Sequence, residues 1–112
     1  MMKIKIGIWL DDVRPKPEDG FGYKWVWYTR AEDMIEDLKR YINWGPYHTI
    51  ELEYISLDND LGEGNMEGYK VLDWLESLLI PVEFGIHIHT SNPVARDRMR
   101  AIIERNGWKE IR

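Results

Sequence analysis

Phe84-Gly85-Ile86-His87-Ile88-His89-Thr90-Ser91-Asn92-Pro93 reads as a strand that runs straight into a helix, and the rest of the chain can be built outward from it. Side chains at i and i+2 of a strand share a face, so Ile86 and Ile88 fill one side of strand 84–89 while His87 and His89 look out from the other. Asn92 is a favoured N-cap and Pro93 suits the first helical turn. Helix N–H groups therefore point outward just past the histidines, a setting that favours an anion. Val94, Met99, Ile102 and Ile103 give that helix an apolar stripe, which ends near Gly107.

Other segments repeat the pattern. Residues 4–10 form an apolar, β-branched run ended by Asp11-Asp12, which reads as a central strand, and Pro15, Pro17 and Gly20 make the next stretch a loop. Residues 24–28 suit a second strand. Thr29-Arg30-Ala31-Glu32 has capping-box spacing, and Ala31, Met34, Ile35, Leu38 and Ile42 follow at helical intervals. Residues 43–49, with Gly45 and Pro46, are a turn in which His48 carries no signal, and 52–57 is a third strand ending in Asp58 and Asp60. Gly62, Gly64 and Gly68 loosen the connection to a helix marked by Tyr69, Val71, Leu72, Leu75, Leu78 and Leu79 and closed by Pro81; residues 108–111 make a short last strand. Alternating strands and helices imply an α/β fold whose parallel sheet is covered on both faces, with right-handed crossovers.

Composition narrows what such a fold can do. The 112 residues suit one domain, 1–112, large enough to bury a core without staples. There is no cysteine, which excludes disulfides, thiolate nucleophiles and zinc–sulfur sites. The alternating, charged start is no signal peptide, and no apolar run approaches the ~20 residues of a membrane span, so a cytoplasmic protein with no membrane partner is the expectation. The net charge of -5 argues against holding duplex DNA through phosphate neutralisation. A small anion or a nucleic-acid end remains open as a partner, and the oligomeric state is open too.

The chemistry gathers where sites form in open α/β sheets, outside the carboxyl ends of strands. One strand ends in Asp11-Asp12, another in Asp58-Asn59-Asp60, and a third in His87 through Ser91. Crowded carboxylates repel, so one of Asp11, Asp12, Asp58 and Asp60 should be protonated, salt-bridged, with Arg14 as a partner, or metal-bound. Oxygen ligands favour Mg²⁺, whereas the histidines would admit Mn²⁺, Fe²⁺ or Zn²⁺. Thr90 and Ser91 can bind phosphate or simply cap the helix; Asn92 fits a cap better than a ligand, and Arg96 and Arg100 fit a solvated surface better than an anion guide. Packing accounts for most of the tryptophans, with Trp25 and Trp27 available for stacking if exposed.

Leu10-Asp11-Asp12-Val13-Arg14-Pro15-Lys16-Pro17, Ser56-Leu57-Asp58-Asn59-Asp60-Leu61-Gly62 and Ile86-His87-Ile88-His89-Thr90-Ser91-Asn92-Pro93 together resemble the cyclic-phosphate processing receiver-like domains of bacteria and phages. The resemblance covers nearly the whole chain. It implies a reduced receiver-like, flavodoxin-like three-layer sandwich with strand order 2-1-3-4-5, its first and last receiver helices lost. It further implies that Asp11 and Asp12 are the receiver acidic pair, that Asp58 is the phospho-acceptor position, and that His87 and His89 are the family's own addition. Asn59 stands where the family often has histidine and Ala95 where it often has glycine. No lysine ends the fifth strand, since Lys109 lies at its start, which speaks against aspartyl-phosphate signalling.

The function expected is a phosphoesterase acting on a cyclic phosphate, a 2′,3′-cyclic RNA 3′ end or a cyclic nucleotide. His87, His89 and Asp58 are its catalytic candidates, Arg14, Thr90, Ser91 and Asn92 its phosphate ligands, and Asp11, Asp12, Asp58 and Asp60 its metal ligands for Mg²⁺ or Mn²⁺; no organic cofactor is called for. A non-enzymatic module that binds a phosphorylated or cyclic ligand, or a protein, is the alternative. A metal-dependent nuclease built on Asp58 and Asp60 ranks lower because it leaves the histidines without a task.

Overall fold

The computed structural model describes residues 4–20, 23–43 and 49–112; Gly45, Pro46 and His48 of the expected turn lie outside them. The elements are β1 (Ile4–Leu10), β2 (Tyr23–Tyr28), α1 (Ala31–Asn43), β3 (Ile50–Leu57), α2 (Tyr69–Ser77), β4 (Gly85–Ile88), α3 (Pro93–Arg105) and β5 (Glu110–Ile111). Every strand pair is parallel and the order is β2-β1-β3-β4-β5, as the resemblance implies.

Ends of elements differ slightly from the sequence reading, for local reasons. The second helix stops at Ser77, short of the expected Leu79, because Leu79 takes a positive φ of 55° that no helix continues. The fourth strand stops at Ile88, yet the His89 N–H still donates to the Leu57 carbonyl at 2.9 Å, so the ladder reaches one residue further than the regular strand.

Burial divides the sheet into two unlike faces. Ile8 and Leu10 of β1, Ile55 and Leu57 of β3, and Ile86 and Ile88 of β4 form one core with Met34 and Leu38 of α1, Val71, Leu72 and Leu75 of α2, and Met99, Ile102 and Ile103 of α3. The crossovers β2-α1-β3, β3-α2-β4 and β4-α3-β5 all progress the same way across the sheet. Right-handedness then places all three helices on a single face. The reversed step from β1 to β2 is the one that would put a helix on the other face, and it runs as a loop through Pro15 and Pro17, where a helix would lose backbone donors.

The second face is covered by rings instead, so the expectation of helices on both faces is met by helices on one only. Trp25 lies 5.2 Å from Tyr54, 5.7 Å from Tyr23 and 5.9 Å from Trp9 between ring centroids, in edge-to-face or steeply tilted arrangements. Gly7 makes room for them: a Cβ there would lie 2.9 Å from Trp25 Cζ3 and closer still to the Tyr23 hydroxyl. Among the described residues, no helix is long and apolar enough to cross a membrane.

Candidate functional site

Backbone hydrogen bonds carry the ladder one residue beyond three strands and so fix the site's floor. Asp11 N donates to Tyr28 O at 3.0 Å, Asp58 N to Leu10 O at 2.9 Å, and His89 N to Leu57 O at 2.9 Å. Asp11, Asp58 and His89 therefore stand side by side at the carboxyl edge, as the sequence leads one to expect. Asp11, Asp12 and Asp58 each present an oxygen within 4.8 Å of the others, whereas Asp60 points elsewhere and accepts from the Asn59 and Asn92 side-chain amides at 3.3 Å.

Asp11 is the most heavily engaged acid. Its Oδ1 accepts from the Val13 and Arg14 backbone N–H groups at 2.9 and 2.7 Å, and its Oδ2 lies 3.0 Å from His89 Nε2 and 3.3 Å from Arg14 Nε. Burial opposes its charge, but these donors outweigh burial and hold the carboxyl below the ordinary carboxylate value. Asp58 shows the opposite shift, because burial and, to a lesser degree, the neighbouring Asp11 charge raise it despite the Thr90 hydroxyl and the Asn59 N–H.

Three close carboxylates suit a hard divalent cation, and the donor set fits Mg²⁺ or Mn²⁺ best through Asp12 and Asp58. Asp11 is already engaged by three hydrogen-bond partners and by the Arg14 ion pair. The Arg14 guanidinium supplies part of the positive charge the cluster needs, and its NH1 also donates to the His89 carbonyl at 3.0 Å.

The histidines are joined through a residue the sequence reading passed over. Ser56 Oγ lies 2.6 Å from His87 Nδ1 and 2.8 Å from His89 Nδ1. Ser56 is fully buried near the carboxyl end of β3 and pairs in register with His87. Burial pushes His89 down to about 4 despite the Asp11 carboxylate, and burial lowers His87 as well, so both rings are neutral at pH 7. Neutral rings next to an ionised Asp11 permit one hydrogen-bond order. His89 Nε2–H donates to Asp11, the Ser56 hydroxyl donates to His89 Nδ1, and His87 Nδ1–H donates to Ser56 Oγ. His87 Nε2 is left with its lone pair. His89, by contrast, has both nitrogens committed, and its ring lies parallel to the Trp9 indole at 3.8 Å, so it is held rather than free to reach a ligand.

The remaining expected residues divide by role. Asn92 Oδ1 accepts from Ala95 N at 3.1 Å and so caps α3, as anticipated. Thr90 is buried beside Asp58, and its hydroxyl also accepts from Asn92 N at 3.2 Å. Ser91 is exposed at the mouth. Arg96 donates to the Thr90 carbonyl and Arg100 pairs with Glu110 at 3.0 Å, so both serve the fold. Asn59 accepts from Tyr69 N at 3.0 Å and anchors the start of α2. A signal for Ser56 did exist in the sequence, as a small hydroxyl residue between Ile55 and Leu57 on the non-helix parity of the strand.

A family model described as Cyclic-phosphate processing Receiver domain matches residues 6–105. No curated protein and no solved structure matches the chain.

Proposed function

Because the chain belongs to the cyclic-phosphate processing receiver domain family, we propose that its site opens a cyclic phosphodiester with water, on a cyclic nucleotide or a 2′,3′-cyclic RNA 3′ end. The observation that carries this reading is the chain Asp11–His89–Ser56–His87, which leaves one imidazole nitrogen basic at neutral pH. His87 Nε2 takes a proton from water, the water oxygen bonds to phosphorus, one ring P–O bond breaks, and the leaving oxygen takes up the proton that His87 gained, giving a phosphomonoester and a hydroxyl with the imidazole restored. The imidazolium that forms on His87 is stabilised through Ser56 and His89 by the Asp11 charge. Arg14 meets the phosphate oxygens from the loop after β1. A Mg²⁺ or Mn²⁺ ion held by Asp12 and Asp58 would supply positive charge at the leaving oxygen.

In this mechanism the histidines have unequal tasks: His87 works on the substrate and His89 sets its tautomer. A panel of cyclic mono- and dinucleotides and cyclic-ended RNA, assayed with EDTA, Mg²⁺ or Mn²⁺, tests the reading. Turnover should fall by ~10² to 10⁴-fold in His87→Ala while the protein stays folded. A ligand that binds and is recovered unchanged from the native protein would make the site a binding module instead.

A further inference from the structure

The ring-covered face of the sheet is not uniform. Trp25 lies edge-on against both Tyr23 and Tyr54, which are tilted against each other, and all three are half-buried; the Trp9 indole is spent between the His89 ring and the Arg14 carbonyl, to which its N–H donates at 2.9 Å. Trp27, at the carboxyl end of β2, is 41% exposed. Its indole N–H donates to the Asp11 carbonyl at 2.7 Å, so the ring is pinned at the rim and cannot turn away to bury itself.

The same loop fixes a cation. The Arg14 side chain is half exposed, and its guanidinium is tied to Asp11 Oδ2 and to the His89 carbonyl. Asp11 thus anchors both a flat apolar ring, through its carbonyl, and a positive charge, through its carboxylate, at the carboxyl edge of the sheet. A chain of net charge -5 is poorly suited to a polyanion, but a single phosphate at Arg14 and an uncharged planar group on Trp27 match what the rim offers.

We infer that Trp27 is a stacking platform for the base of a nucleotide whose phosphate meets Arg14 and the histidine site, so the ligand class is nucleoside phosphates rather than base-free phosphodiesters. The inference rests on the proposed function for the phosphate and on the pinned indole for the base. Every base has a π-face, so the platform accepts purine and pyrimidine alike.

The test compares adenosine 2′,3′-cyclic phosphate, uridine 2′,3′-cyclic phosphate and glycerol 1,2-cyclic phosphate. Binding is measured by calorimetry in the His87→Ala background, so that the ligand survives, and turnover in the otherwise native protein. Trp27→Ala should weaken both nucleotides by roughly 5- to 100-fold and leave the glycerol compound unchanged, while Trp27→Phe, which keeps a ring, stays within a few-fold of the parent. Equal weakening of all three ligands, or no change for the nucleotides, overturns the inference. So does a dimer that sequesters Trp27 and binds no nucleotide. Nucleotide bound through Trp27 but returned unchanged would uphold the platform and defeat the hydrolytic reading; hydrolysis of the glycerol compound with a silent Trp27→Ala would do the reverse.

Discussion

At the scale of single residues, the buried histidine next to an ionised acid couples folding stability to pH. The native state keeps His89 neutral down to about 4, whereas an unfolded histidine protonates near 6.5. Between those values the unfolded chain binds the extra proton, so folding stability should fall as pH drops from about 6.5 to about 4, by about 3 kcal/mol in all. Asp11, held below its ordinary value, adds loss in the same direction at lower pH, and Asp58, held above its ordinary value, partly offsets it. Urea unfolding across this range should show a slope in the native protein that flattens in His89→Gln; an unchanged slope would remove His89 as the source. Ser56 offers a second check. Without its oxygen, His87 Nδ1–H loses its acceptor, so Ser56→Ala should move His87 toward the Nε2–H form, read by ¹⁵N shifts, and cut turnover by about 10²-fold, the low end for a general base. Ser56→Thr should restore both readouts, and a His87 tautomer indifferent to Ser56 would dissolve the relay.

At the scale of elements, two close approaches decide how strands and loops present the site. Gly68 lies against the Asp58 backbone, where its N–H donates to the Asn59 carbonyl at 2.9 Å and a Cβ would collide with the Asp58 oxygen. That contact ties the start of α2 to the loop carrying Asp58. Gly7 plays the matching part on the other face, beneath Tyr23 and Trp25. Overpacking of this kind costs roughly 1–3 kcal/mol or more. Gly68→Ala should therefore lower the urea midpoint and disturb the acids, while Gly7→Ala should lower the midpoint by a similar amount and loosen the rings without moving Asp58. Equilibrium unfolding and amide spectra of the two variants separate these effects, and native-like midpoints would show that the collisions relax at no cost.

The whole molecule has the receiver strand order, with no lysine at the end of β5. Lys109 precedes β5, and its carbonyl accepts from Ile86 N at 2.9 Å, toward the far end of β4 from His89. The cation at the acids is Arg14 instead, on a loop. Asp58 should consequently form no stable acyl phosphate with acetyl phosphate, as read by intact mass. A stoichiometric adduct would return the molecule to phosphorelay signalling. With a loop instead of a helix between β1 and β2, the histidine face is covered by rings, Trp9 lying directly over His89.

Much of this was legible in the sequence because it follows from local rules. Alternation in 84–89 set both histidines on one face, Asn92 and Pro93 set the start of α3, and strand-ending acids at Asp11 and Asp58 marked the edge where the carboxylates gather. Tertiary structure alone decided the rest. Periodicity assigns a side chain to a face but not to a partner, so it could pair His87 with His89 without revealing that Ser56, on a neighbouring strand, joins them at 2.6 and 2.8 Å. Nor could it show that Asp11 takes His89 Nε2 while Asp60 turns to Asn59 and Asn92. Which face the helices leave open depends on the handedness of three crossovers acting together, and only the assembled sheet brings Trp27 to the Asp11 carbonyl.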